Sequence, residues 1–234
     1  GWYIGGEFTK VGNYDINYIA HINSDGSVDT DWNPDPDNWV TIIKVNGSDV
    51  YAGGWFSSIG GQTRNYIAKL NNTNGQADAI WNPNADSDVK TIAINGNDLY
   101  VGGNFTEIGG KSLNRIAKLN NTDGNADSSW NPNSDGEINI IVISGSDIFA
   151  GGLFNSIGGE TRNCIAKLNN TNGLADVNWN PDASGVVYTI AVSGSDVYAG
   201  GQFIQIGGRM SFGTAKLNNT NGQADASWSA NANS

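Results

Sequence analysis

Val89-Lys90-Thr91-Ile92-Ala93-Ile94, Asn95-Gly96-Asn97-Asp98 and Leu99-Tyr100-Val101-Gly102-Gly103 follow one another without a break. The outer two stretches are rich in β-branched and aromatic residues and read as strands. The middle one is a tight turn, where asparagine and glycine supply positive φ at low cost. Phe105, Ile108 and Gly109-Gly110 then lie in a longer connection. Arg115-Ile116-Ala117-Lys118-Leu119 reads as a third strand and Asn120-Asn121-Thr122-Asp123-Gly124 as another turn. Ala126 to Asn131, carrying Trp130 and ended by Pro132, reads as a fourth strand. No stretch has the 3.6-residue apolar period of a helix.

The same order of residues recurs along the whole chain. Gly-Gly stands at Gly5-Gly6, Gly53-Gly54, Gly102-Gly103, Gly151-Gly152 and Gly200-Gly201. Tryptophan stands at Trp32, Trp81, Trp130, Trp179 and Trp228, each 49 residues after the last. The first unit is one residue shorter, with Asn23-Ser24-Asp25-Gly26 where Asn71-Asn72-Thr73-Asn74-Gly75 stands in the second. Four short antiparallel strands leave a sheet with two faces to cover, and radial stacking of units covers both. The fold expected is an all-β β-propeller: five repeats of about 49 residues, four antiparallel strands per blade, in one domain spanning 1–234. The blades fall at approximately 1–36, 37–85, 86–134, 135–183 and 184–234, with the repeated phenylalanines and tryptophans packed between them. The first strand is found only around Ile43, Ile92, Ile141 and Ile190, so the first blade lacks its innermost strand. The chain is therefore expected to be a segment of a longer protein, and an open blade invites self-association.

Composition narrows the function. The 234 residues include 32 glycines and carry a formal charge of −11, which opposes phosphate backbones and argues against nucleic acid. Apolar runs such as Ile140-Ile141-Val142-Ile143 are far too short for membrane insertion. Cys164 is the one cysteine, so no disulfide forms within the chain.

Val50-Tyr51-Ala52-Gly53-Gly54, Phe56, Ile59-Gly60-Gly61, Arg64-Asn65, Ile67-Ala68-Lys69-Leu70 and Trp81-Asn82-Pro83 together resemble the delta-60-type, kelch-like β-propeller repeat of bacterial surface and secreted proteins. The resemblance covers essentially the whole chain. It implies an extracellular or cell-surface location and a place in a large multidomain protein. It carries over no catalytic set. The fifth repeat departs from the pattern, with Ser211-Phe212-Gly213-Thr214 where Arg64-Asn65-Tyr66-Ile67 stands in the second, and Ser229-Ala230 without the Asn-Pro.

A catalytic centre needs a base, a nucleophile or a metal in mutual reach. His21 is the sole histidine and stands where Lys69 and Lys118 stand in other blades; it reads as a surface residue. Cys164 occupies the place of Tyr66 and Arg115 and reads as a tolerant position. The chain is read as no enzyme. Asp49, Asp98, Asp147 and Asp196 sit in the first hairpins, where aspartate accepts local backbone hydrogen bonds. A second acidic set follows the fourth strands: Asp35 and Asp37, Asp86 and Asp88, Asp135 and Glu137. No cofactor is expected; calcium is the cation such oxygen-rich loops would suit.

Core positions repeat because the packing repeats, so unlike residues at matching positions mark candidate contacts. Immediately after Gly-Gly stand Glu7, Trp55, Asn104, Leu153 and Gln202, and Trp39 is similarly unshared. Trp55, Trp39, Glu7, Asn104 and Gln202 are therefore the candidate ligand-binding residues, since an exposed tryptophan stacks on a sugar or anchors an interface. The expected function is an extracellular binding or scaffold module holding a protein or glycan on one propeller face. The alternatives are a multivalent lectin and a structural subunit of a surface assembly.

Overall fold

A computed structural model describes residues 1–230; the end of the fifth unit, 231–234, lies outside the described residues. The chain forms successive blades. The inner, middle and outer strands are Val40–Asn46, Asp49–Gly54 and Ile67–Asn71 in the second blade, and Val89–Asn95, Asp98–Gly103 and Ile116–Asn120 in the third. They are Glu137–Ser144, Asp147–Leu153 and Ile165–Asn169 in the fourth, and Val187–Ser193, Asp196–Gly201 and Thr214–Asn218 in the fifth. In the first blade the middle strand Trp2–Gly5 pairs with the outer strand Ile19–Ile22, and no inner strand lies beside them among the described residues. All pairings are antiparallel, and inner strands of consecutive blades lie side by side.

Two details depart from the sequence reading. The fourth strand is reduced to one bridge, Leu119 with Ala126 in the third blade and Leu70 with Ala77 in the second. The next residue is the reason: Asp78 Oδ1 accepts the N–H groups of Ile80 at 2.9 Å and Trp81 at 3.2 Å, so an aspartate turn forms where the strand would continue. The connection between middle and outer strands is itself ordered, as a two-stranded arm pairing Glu107–Ile108 with Lys111–Ser112.

The core lies between blades. Tyr51, Ile67 and Trp81 of the second blade pack with Val89, Leu99, Val101 and Phe105 of the third, and the same arrangement recurs at the later junctions. Trp32, Trp81, Trp130 and Trp179 are fully buried. Each donates its indole N–H to a carbonyl in the next blade: Trp32 to Asn71, Trp81 to Asn120, Trp130 to Asn169 and Trp179 to Asn218, at 2.9–3.0 Å. Tyr51 meets Trp81 edge to face at 5.4 Å, and Tyr100 meets Trp130 at 5.1 Å.

The Gly-Gly pair makes this approach possible. A Cβ on Gly102 would sit 2.6 Å from Ile138 Cγ2 of the next blade and 2.9 Å from Ile138 Cβ and Thr91 Cγ2. On Gly200, the same position in the last blade, it would meet only Thr189 Cγ2 below 3 Å. Overpacking of this kind costs about 1–3 kcal/mol. Gly102→Ala is expected to lower the melting temperature more than Gly200→Ala in thermal denaturation. Equal losses would mean that the junction between blades is not what demands the glycine.

Candidate functional site

Where each middle strand ends in Gly-Gly, it faces the start of the inner strand of its own blade. A Cβ on Gly54 would lie 2.1 Å from the Trp39 carbonyl oxygen, and one on Gly103 2.0 Å from that of Asp88. The missing side chain therefore brings the two flanking residues together. Trp55 N–H donates to Trp39 O at 2.9 Å, Asn104 N–H to Asp88 O at 3.0 Å, and Gln202 N–H to Val186 O at 2.8 Å. Glu137 and Leu153 are cross-strand neighbours in the fourth blade. Two residues further on, a β-bulge interrupts each inner strand, at Thr41, Lys90, Asn139 and Tyr188. Bulges re-aim side chains out of the ladder.

These positions form a rim of unlike residues on a repeated frame. Trp39 and Trp55 are adjacent and exposed to 40% and 48%. In the third and fourth blades the rim is polar. Asn104 Nδ2 donates to Asp88 Oδ1 at 3.0 Å, Lys90 Nζ meets Glu137 Oε2 at 2.5 Å, and Asn139 Nδ2 donates to Glu137 Oε1 at 3.4 Å. Arg115 also donates to the Asn104 carbonyl. Partial burial pushes the Glu137 carboxyl up, but the hydrogen bond and charge of Lys90 outweigh it and hold the group below its ordinary value. Beyond this cluster, Leu153 and Tyr188 are exposed, and Tyr188 Oη donates to Gln202 Oε1 at 3.2 Å. Glu7, at the matching place in the first blade, is exposed.

Trp39, Trp55, Asn104 and Gln202 thus fall on one rim with Asp88 and Glu137. Lys90, Asn139 and Tyr188 escaped the sequence reading, although the same test of unlikeness at matching positions (Thr41, Lys90, Asn139, Tyr188) would have found them.

The other carboxylates of the acidic set have structural partners. Asp37 accepts from Ser57 N–H at 2.8 Å and Ser58 N–H at 3.1 Å, Asp86 from Thr106 N–H at 2.7 Å and Glu107 N–H at 3.0 Å, and Asp135 from Asn155 N–H at 2.8 Å and Ser156 N–H at 3.0 Å. Each pins the linker to the arm of the following blade. Asp35 accepts from Asn17 Nδ2 at 3.1 Å. No group of three or more histidine, cysteine, aspartate or glutamate side chains able to hold a metal occurs among the described residues. The hairpin aspartates pair with the lysine of the outer strand, which also meets the aspartate of the turn after it: Lys69 lies 3.1 Å from Asp49 and 3.7 Å from Asp78, and Lys118 lies 3.7 Å from Asp98 and 3.0 Å from Asp127. In the first blade His21 replaces that lysine, bonding Asp29 at 2.9 Å and stacking on Tyr3 at 4.6 Å. Cys164 is buried, with φ of 61°, at a place where Tyr18, Tyr66 and Arg115 also have positive φ. Its side chain varies between blades, but its backbone does not.

The profile of a family described as a domain of unknown function (DUF5122) beta-propeller matches residues 2–31, 49–79, 97–129 and 134–178, more than half of the chain. The chain belongs to this β-propeller family. A comparison with curated proteins finds no match. Among solved structures, the chain is similar to the Pan2 WD40 domain of Neurospora crassa, at 12% identity over 85% of this chain and 55% of that one, with a TM-score of 0.55. It is similar to Sqt1 of Saccharomyces cerevisiae at 15% identity over 88% of this chain and 54% of that one, with a TM-score of 0.55. The WD40 β-propeller domain of Doa1 matches at 11% identity over 81% and 53%, with a TM-score of 0.53. The chain spans about half the length of each, and the likeness is one of fold.

Carboxylates paired within a blade contribute to the response to acid. The Ser129 hydroxyl, with Lys118, holds Asp127 down to about 2, below the ~3.9 of an unfolded aspartate. A depressed folded pKa gives stability that is complete above the unfolded value and lost as pH falls through the folded one. The melting temperature is expected to be flat from about pH 7 to 5 and to fall between about pH 4 and 2. Asp127→Asn should lower it at neutral pH and flatten that acid limb. An unchanged limb would remove Asp127 from the account.

Proposed function

We propose that this chain is a non-enzymatic binding module that holds a protein partner on the rim running from Trp39 and Trp55 to Leu153 and Tyr188. It works outside the cell, as its resemblance to surface and secreted repeats suggests, and without a cofactor. One observation carries the reading: the side chains at the bulges and beside the glycine pairs differ from blade to blade, and they lie together on one rim held by a repeated backbone frame. The rim offers exposed aromatic anchors beside a charged and amide cluster, the mixture that protein interfaces favour. A multivalent lectin would instead need an equivalent pocket in every blade, and Trp55, Asn104, Leu153 and Gln202 are four different chemistries at one position.

A photo-crosslinking residue placed at Tyr188 is expected to capture a protein that the same residue at Asn72, in a turn between strands, does not. Trp55→Ala and Tyr188→Ala should each weaken binding of that protein about tenfold or more. Equal capture at both positions would reject the rim. A single glycan class whose binding on an array is lost in Trp55→Ala would replace the protein partner with a sugar, and loss with a chelator would bring calcium into the site.

A second reading, as a subunit of an assembly, is favoured by the two end faces. Trp2 and Ile4 are exposed to 61% and 37%, whereas Val50 and Ala52 at the same positions are fully buried. At the other end, Tyr198 and Trp228 are only half-buried, where Tyr100 and Trp130 are covered by the next blade. The two faces are the halves of one repeated junction, and each fits a further unit of the same kind, in the same protein or in a second copy joined head to tail. Sedimentation velocity is expected to show association that rises with concentration and is lost in Trp2→Asp. A monomer at all concentrations would remove this reading.

A further inference from the structure

Just before the outer strand, the arm of each blade sends one side chain inward. That residue is Ile16, Arg64, Leu113 and Arg162 in the first four blades, each at least 96% buried. In the fifth it is Ser211. The backbone is the same in all of the last four: Arg64 N–H donates to Ser57 O, Leu113 to Thr106 O, Arg162 to Asn155 O and Ser211 to Ile204 O, at 2.9–3.0 Å. Only the side chain is missing.

Arg64 and Arg162 show what the place accepts. Arg64 Nη1 donates to Thr63 O at 2.7 Å and Nη2 to Asp78 O at 2.5 Å. Arg162 Nη1 donates to Thr161 O at 2.7 Å and Nη2 to Asp176 O at 2.9 Å. Two converging carbonyls thus hold each planar guanidinium. The residues at the matching positions of the fifth blade are Met210 and Asp225. There, a cavity of about 530 Å³ opens, lined by Met210, Ser211, Phe212, Thr214, Asp225 and Trp228. Phe212 and Met210 are exposed at its mouth, and Arg209 also lines it. Asp225 is ionised, its carboxyl held down to about 2 by the Ser227 hydroxyl and backbone N–H, with Lys216 at 3.2 Å.

We propose that this cavity is a vacated arginine socket, and that it takes the guanidinium of an arginine side chain from a peptide partner. The carbonyls of Met210 and Asp225 receive the two N–H groups that Thr63 and Asp78 receive from Arg64. Trp228 and Phe212 supply aromatic surface, on which guanidinium stacks more readily than ammonium. Lysine presents a point charge without the planar fork and fits two fixed acceptors less well. The site is separate from the rim and does not depend on it.

The probe is acetyl-Gly-Arg-Gly-amide, titrated by calorimetry against the 234-residue chain, with lysine and citrulline versions of the same peptide. The arginine peptide is expected to bind about tenfold more tightly than either, as two charge-assisted hydrogen bonds require. Ser211→Arg should fill the socket from within, abolish peptide binding and raise the melting temperature. Ser211→Leu, copying Leu113, should also abolish binding, and Ser211→Ala should leave it intact. Equal affinity for the arginine and citrulline peptides would overturn the proposal. So would binding that survives in a folded Ser211→Arg or Ser211→Leu protein. Arg209 is a like charge in the lining and opposes a guanidinium there, so Arg209→Gln is expected to tighten binding; loss in that variant would also overturn the proposal.

Discussion

The closeness of backbones at the end of each middle strand is the constraint on which the structure rests. Two side chains are absent there, and each absence serves a different direction. The first glycine lets the following blade come within van der Waals contact of the sheet. The second lets the chain of the same blade cross within reach of a carbonyl, where a Cβ would be about 2 Å from oxygen. Tyr51 and Trp81 can then meet edge to face, and the indole N–H can reach Asn120 O. A buried indole without an acceptor would cost roughly 1–3 kcal/mol, so packing and hydrogen bond must form together.

The polar groups follow the same economy of position. Lys69, Lys118, Lys167 and Lys216 each stand between two aspartates, one from the hairpin and one from the turn that ends the blade. Asp37, Asp86 and Asp135 hold linker to arm, and Ser184 takes over in the fifth blade by accepting from Ile204 and Gln205 N–H at 3.0 Å. Eleven of the 23 acidic side chains are thereby committed to internal geometry. The bulges and the positions beside the glycine pairs carry exposed side chains that differ between blades.

Much of this was legible in the sequence because identical packing demands identical residues at a fixed spacing. The glycine pairs, the tryptophans, the inner and middle strands and the first blade's missing strand all follow from position alone. The fourth strand was misjudged because Ala126 and Trp130 look strand-like, while the turn made by Asp127 is a local hydrogen-bond preference that hydrophobic pattern does not record. The hairpin aspartates were assigned to turns because nothing in a linear reading brings Asp49 to Lys69. The rim was half visible: unlikeness picked out Trp39, Trp55, Asn104 and Gln202. The bulge that lifts Lys90, Asn139 and Tyr188 to the same surface is a feature of register, which becomes apparent only when the strands are paired.

The forward reach of each tryptophan bears on how such a chain changes over generations. Every junction joins the same two faces, and the indole bond always spans 39 residues to the neighbouring unit. Stability is then close to a sum over neighbours, as in other repeat arrays. A unit duplicated within the gene would find both of its contact surfaces already made, and a unit deleted would leave two compatible faces to meet. The number of units is therefore free to drift by recombination, while the residues on the rim are free to diverge one blade at a time.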